Sequence, residues 1–87
     1  MTDATATPMI DEQLRVRLDA IVSDILQVPH GSVAPQQRFI EDLGADSLMF
    51  VEVLADIEDE LGVVIAPTEM LQMTTLAGIY RVVARLQ

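Results

Sequence analysis

The sequence predicts an all-α protein: a four-helix bundle with three longer helices, one short helix and a long first loop. Three observations predict it. Apolar residues recur with a helical period in three separate stretches. The apolar half of the composition, 51%, is built from Leu, Ile, Val, Met and Ala, with Phe39, Phe50 and Tyr80 as the aromatics, a mixture that suits packed helices better than a β-sandwich. The β-branched run Val63-Val64-Ile65 has no second strand to pair with. A chain of 87 residues has room for one domain and one modest core, because a domain this small buries only about 60 to 65% of its unfolded surface.

Taken in order, residues 1–9 carry three Thr and one Pro without an apolar period and read as a disordered leader. One domain is expected over 10–87. From Asp11, the residues Leu14, Leu18, Ile21, Val22, Ile25 and Leu26 fall on one face of an amphipathic helix that ends near Val28, before Pro29 and Gly31. Residues 29–46 hold two Pro and two Gly and no sustained period, so they read as a long loop. Loops of that length tend to be functional or pinned by side chains, and Phe39, Ile40 and Leu43 are the candidates to pin it.

A second helix is expected from Ser47 to Leu61, stopped by Gly62, which accepts positive φ. Val63 to Ile65 then reads as an apolar linker over the core. Thr68 to Met73 is expected to form one short helical turn after Pro67, and Met70 and Met73 to fill gaps beside it. A last helix begins at Thr75 as cap, with Leu76, Ile79, Tyr80, Val83 and Leu86 on one face.

The charge is segregated. The net charge is −9. Outside 39–80 the acids Asp3, Asp11, Glu12, Asp19 and Asp24 balance all the bases, Arg15, Arg17, Arg38, Arg81 and Arg85. Between Phe39 and Tyr80 nine acids meet no base. Such a segment repels nucleic acid and anionic membrane and steers a basic protein surface toward itself. With no cysteine, disulfides, thiolate nucleophiles and Cys-based zinc sites are excluded. The absence of a signal-peptide pattern and of a membrane span points to the cytoplasm.

At about 100° per residue, Phe50, Val53, Leu54, Ile57 and Leu61 gather on one side of the second helix. The other side mixes Leu48, Val51 and Ala55 with Glu52, Asp56 and Asp59. Apolar residues ringed by same-sign charge resemble a transient docking surface, although scattered exposed apolar residues are also normal. At the start of this helix Asp46 is a natural N-cap, which puts Ser47 at the first helical position with an outward hydroxyl. A phosphate there would sit beside unpaired N–H groups at the positive end of the helix dipole. Capping alone would also explain Asp-Ser.

The stretch Phe39-Ile40-Glu41-Asp42-Leu43-Gly44-Ala45-Asp46-Ser47-Leu48, followed by Val51-Glu52 and Glu58-Asp59-Glu60-Leu61-Gly62, closely resembles the acyl carrier protein family. The resemblance runs over roughly residues 10 to 86 and is most specific from Asp42 to Leu48. It implies that Ser47 receives 4′-phosphopantetheine from coenzyme A, with Asp46 as cap and part of the motif. Acyl groups would then ride as thioesters on a borrowed sulfur, which suits a chain without cysteine.

The partners it implies are a phosphopantetheinyl transferase and acyl-loading and acyl-processing enzymes. Their basic patches would meet Leu48, Val51, Glu52, Ala55, Asp56 and Asp59. A monomer is expected. Gly44-Ala45-Asp46-Ser47 resembles the fatty-acid and polyketide branch more than the peptidyl carriers. Met49, Asp56 and Ala66-Pro67 depart from the usual fatty-acid pattern. Those departures, with five Arg and no Lys, point to a specialised route such as polyketide or hybrid peptide assembly; primary fatty-acid synthesis and an unmodified helical adaptor are the alternatives.

No enzyme reading competes. His30 is the sole histidine, and Ser47 lacks the Gly-x-Ser-x-Gly elbow of a serine hydrolase. The acids offer no cleft for a glycosidase pair, and the EF-hand loop pattern is missing.

Overall fold

A computed structural model describes residues 12–87, so the leader expected over 1–9 lies outside the described residues. The order is α1 (Glu12–Leu26), α2 (Ser47–Leu61), α3 (Pro67–Met70) and α4 (Leu76–Leu86). Among the described residues there is no strand, only an isolated antiparallel bridge between Arg38 and Thr75. The all-α architecture and the long first loop match the sequence expectation.

The three long helices bury the faces their periodicity marks. Leu18, Ile21 and Val22 of α1, Val53, Leu54 and Ile57 of α2, and Leu76, Ile79, Val82 and Val83 of α4 make one core with Phe39 and Met73. Val82 joins it although the expected α4 face omitted it, while Tyr80 stays half-buried. Arg15 of α1 lies 5.2 Å above the Tyr80 ring, a cation–π contact that holds α1 beside α4. Gly78 is buried in α4, and a Cβ there would come within 1.9 Å of the Gln72 carbonyl oxygen. Glycine is thus what lets α4 lie against the preceding backbone.

α1 ends at Leu26, two residues before the expected Val28. Gln27 turns into the left-handed region at φ 60°, and the Val28 N–H donates to the Ser23 carbonyl at 3.0 Å, the six-to-one bond of a Schellman ending. α2 ends as expected, with Gly62 at φ 67° donating its N–H to Glu58.

The first loop is held at both ends. Near α1, the Gly31 N–H donates to Asp19 at 2.8 Å and His30 meets Asp24 at 2.7 Å. Farther on, the Phe39 N–H donates to the Thr74 carbonyl and the Ala77 N–H to the Pro35 carbonyl, both at 3.0 Å. Val33, Phe39 and Ala45 supply its buried side chains and Leu43 is half-buried. Ile40 is a correction: it is 46% exposed and pins nothing.

Two further local expectations change. α3 starts at Pro67, whose fixed φ suits the first helical position, and ends at Met70, not at Met73. Met73 is fully buried beyond the helix and fills the core, while Met70 is half-buried. In the linker, Ile65 is buried and Val64 is 82% exposed. The Ile65 N–H donates to the Glu58 carboxylate at 2.8 Å, which ties the linker to the flank of α2 and turns Val64 outward.

Candidate functional site

The junction of the first loop and α2 is set by backbone bonds. The Ala45 N–H donates to the Phe39 carbonyl at 3.0 Å with the Ala45 side chain buried, which fixes the direction in which the chain starts the helix. Asp46 is extended at φ −97°, ψ 176°; its Oδ1 accepts the Met49 N–H at 2.9 Å and its carbonyl accepts the Phe50 N–H at 3.1 Å. Asp46 is therefore the N-cap, and Ser47 is the first helical residue, exposed to solvent.

A helix start leaves its first N–H groups without partners one turn earlier. Asp46 satisfies the one on Met49, and among the described residues those of Ser47 and Leu48 form no hydrogen bond. The Ser47 hydroxyl sits where a covalently attached phosphate would be stabilised by two N–H groups and the helix dipole.

The six residues predicted to share one face of α2 do so. Leu48 and Val51 are 66% and 52% exposed, and Glu52, Ala55, Asp56 and Asp59 are exposed around them. The neighbouring acids are occupied differently. Arg17 pairs with Glu60 at 3.2 Å, Arg38 with Glu41 at 3.1 Å and Asp42 at 3.5 Å, and Arg85 with Glu69. Glu58 holds the Ile65 N–H. The Arg38 backbone N–H, followed by its guanidinium, holds the Asp42 carboxyl below its usual range. Among the described residues, Glu52, Asp56 and Asp59 form no ion pair.

One feature along the first turns of α2 was not legible in the sequence. Arg38, Phe39, Ile40 and Glu41 from the loop, Phe50 from α2 and Thr74 from the turn before α4 line a cavity of about 160 Å³. Periodicity assigned Phe50 wholly to the core; it is half-buried and forms part of this wall. Its walls come from three separated segments, so no local motif marks it.

His30 is exposed and bonded to Asp24; that hydrogen bond, the largest influence, raises its pKa above the ordinary histidine value. Among the described residues no group of three or more acids or histidines is placed to hold a metal ion, and no helix is long and apolar enough to cross a membrane.

Residues 16–83 match the family model described as "Phosphopantetheine attachment site". Over 80 residues the chain is 38% identical to "Polyketide-8 synthase acyl carrier protein 2" of Streptomyces avermitilis, covering 92% of this chain and 87% of that protein. The chain belongs to the acyl carrier protein family. This carrier is not itself a catalyst, and its prosthetic group is 4′-phosphopantetheine. Its partners as a family member are a phosphopantetheinyl transferase and synthase enzymes. The helix start at Ser47 suits the group chemically: an exposed hydroxyl to esterify, two N–H donors for the phosphate, and an Asp46 carboxylate turned into the cap.

Proposed function

We propose that Ser47 bears the 4′-phosphopantetheine group and that the carrier presents acyl intermediates, held as thioesters, to the enzymes of a polyketide or related secondary pathway. One comparison among serines carries the assignment. The chain has three serines. Ser23 is buried with 0% exposure, and the Ser32 hydroxyl, within the first loop, donates to the Pro29 carbonyl at 2.7 Å. Ser47 alone joins an exposed hydroxyl to a helix N-terminus.

In the attachment step the Ser47 oxygen bonds to the phosphorus of coenzyme A that carries the pantetheine arm, the nucleotide half leaves, and the hydroxyl proton passes to a base of the transferase. Once attached, the group supplies the thiol that this chain lacks. The carrier's own residues orient the arm. Asp46 fixes the first turn, and the rigid helix start holds the attachment oxygen at one place on the surface.

The face of Leu48, Val51, Glu52, Ala55, Asp56 and Asp59 is the proposed docking surface. Its unpaired acids steer basic partners, and its exposed apolar centre adds contact area once they meet. The polyketide assignment draws on the printed name of the Streptomyces relative and on the Gly44-Ala45-Asp46-Ser47 form of the motif. Intact-mass measurement after incubation with coenzyme A and a broad-specificity transferase tests attachment. A gain of one phosphopantetheine that disappears in Ser47→Ala supports it; an unmodified wild type, or a modified Ser47→Ala, overturns it. Loss of basal fatty-acid synthesis on deleting the gene would overturn the pathway assignment.

A further inference from the structure

We propose that residues 29–32 are a proton-controlled strap on α1, closed while His30 carries its proton and released when that proton leaves. The proposal does not depend on where the prosthetic group is attached.

The strap is a unit. The Ser32 N–H and hydroxyl both donate to the Pro29 carbonyl, at 3.1 and 2.7 Å, so residues 29–32 form a turn that can move as one piece. All four are exposed. Gln27, just before the strap, and Gly31 within it are left-handed at φ 60° and 82°, a conformation that favours glycine. Beyond the strap the buried Val33 anchors the loop.

Two carboxylates of α1 hold it closed. His30 meets Asp24 at 2.7 Å, and the Gly31 N–H donates to Asp19 at 2.8 Å. Among the described residues these are the only hydrogen bonds between residues 29–32 and α1.

What lies under the strap favours opening. Asp19 and Ser23 stand one turn apart on one stripe of α1, and Asp24 follows Ser23. A segment tied to both Asp19 and Asp24 therefore crosses the helix beside Ser23. The Ser23 hydroxyl is fully buried and has no hydrogen-bond partner among the described residues. Lifting the strap lets water reach that oxygen, which lowers the cost of the open state.

The surroundings single out His30 as the control. Glu12, Arg15 and Asp19 of α1 and Tyr80 of α4 line the same groove, of about 470 Å³, as His30 and Gly31. Histidine is the side chain whose charge ordinarily changes near neutral pH, and burial pushes Tyr80 upward, farther from neutrality. The Asp24 hydrogen bond, ahead of the Asp24 and Asp19 charges, raises His30 above the ordinary histidine value. The latch is thus fully present below the unfolded-state pKa and fades as pH rises through the folded one. A neutral imidazole can keep a hydrogen on Nε2, but its bond to Asp24 loses charge assistance. The neighbouring Gly31–Asp19 bond loses its support at the same time.

The experiment measures solvent exchange of backbone amides by NMR on the full chain from about pH 5 to 8. Each rate is divided by the intrinsic rate of an unstructured chain at that pH, and the His30 midpoint is read from its ring protons. Opening at Gly31 should rise about two- to fivefold through that midpoint, the effect of an exposed charged pair. Ser32, bonded within the turn, and Val53, in the core, should stay level. Asp24→Asn should show the open-state value at every pH with no step. Ser23→Ala should lower opening at Gly31 at both ends of the range and keep the step. A wild type without a step at Gly31, a step retained in Asp24→Asn, or equal rises at Ser32 and Val53 would overturn the strap. Unchanged opening in Ser23→Ala would overturn the part assigned to the buried hydroxyl.

Discussion

Asp46 stands beside Ser47, the proposed attachment serine, and also caps α2, and substitution can separate the two roles. Its Oδ1 accepts the Met49 N–H at 2.9 Å. Replacing it with Ala leaves that donor without its partner at an exposed helix start, where water partly compensates, and loss of such a cap costs about 1 kcal/mol. For a domain of this size 1 kcal/mol corresponds to a Tm shift of roughly 4 to 8 °C. Asp46→Asn keeps an accepting oxygen in the same place, so its Tm should stay within about 2 °C of wild type, because Asn and Asp are equivalent caps. Thermal unfolding followed by circular dichroism measures both, and the rate of phosphopantetheine transfer is recorded well below either Tm. If transfer slows in Ala but not in Asn, the ordered helix start is what the transferase needs; if it slows equally in both, the carboxylate charge is read directly. An Asp46→Ala protein with unchanged Tm would refute the capping argument.

Four other outcomes are expected. Gly78→Ala should destabilise the fold by about 1 to 3 kcal/mol despite alanine's better helix propensity, because the new Cβ meets the Gln72 carbonyl at 1.9 Å; chemical denaturation checks this. Ser23→Ala should stabilise by about 1 kcal/mol, since the buried hydroxyl has no hydrogen-bond partner among the described residues and an unsatisfied polar group is costly; a rise in the denaturation midpoint is the readout. His30 should titrate above an ordinary histidine by NMR, and Asp24→Asn should lower that midpoint, Asp24 being its main partner. A raised folded-state pKa means that this contribution is fully present below the unfolded pKa and fades as pH rises through the folded one. Charge reversal at Glu52 or Asp59 should slow loading about three- to tenfold at low salt with unchanged circular dichroism, and unchanged kinetics with every partner tested would remove the docking face.

The helices were legible because each buries one face, and burial of a face imposes a period on the sequence. Leu18, Ile21 and Val22, and likewise Val53, Leu54 and Ile57, could be read off before any coordinates. The start of α2 was legible for a different reason: Asp46 acts locally, through bonds to Met49 and Phe50, residues within four positions. What escaped was nonlocal. That Ile40 faces outward while Phe39 is buried follows from the bond to Thr74, thirty-five positions from Phe39. The turn of Val64 away from the core follows from the Glu58 carboxylate reaching the Ile65 N–H. The cavity needs the loop, α2 and the turn before α4 to meet, and no pattern within one segment encodes such a meeting.

The charge pattern shows how the fold can sharpen a feature that composition only outlines. In the sequence nine acids between Phe39 and Tyr80 face no base, which suggests a diffuse negative segment. Folding brings bases in from outside that segment: Arg17 reaches Glu60 from α1, Arg85 reaches Glu69 from α4, and Arg38 holds Glu41 and Asp42 at the loop. These pairs lie at the surface, where solvent screening leaves them little effect on stability. Their consequence lies in the field. They neutralise part of the flanks of α2, while among the described residues Glu52, Asp56 and Asp59, beside Leu48 and Val51 and one to four turns from Ser47, meet no base. A basic partner drawn by that field would arrive on the face whose edge carries the proposed attachment serine, so removing a flanking pair should weaken orientation more than stability. Arg17→Ala tests this: the added negative charge at Glu60 should raise encounter rates with a basic partner while reducing the productive fraction, with Tm nearly unchanged. A faster encounter with an unaltered productive fraction would show that the flanking pairs play no part in aiming the partner.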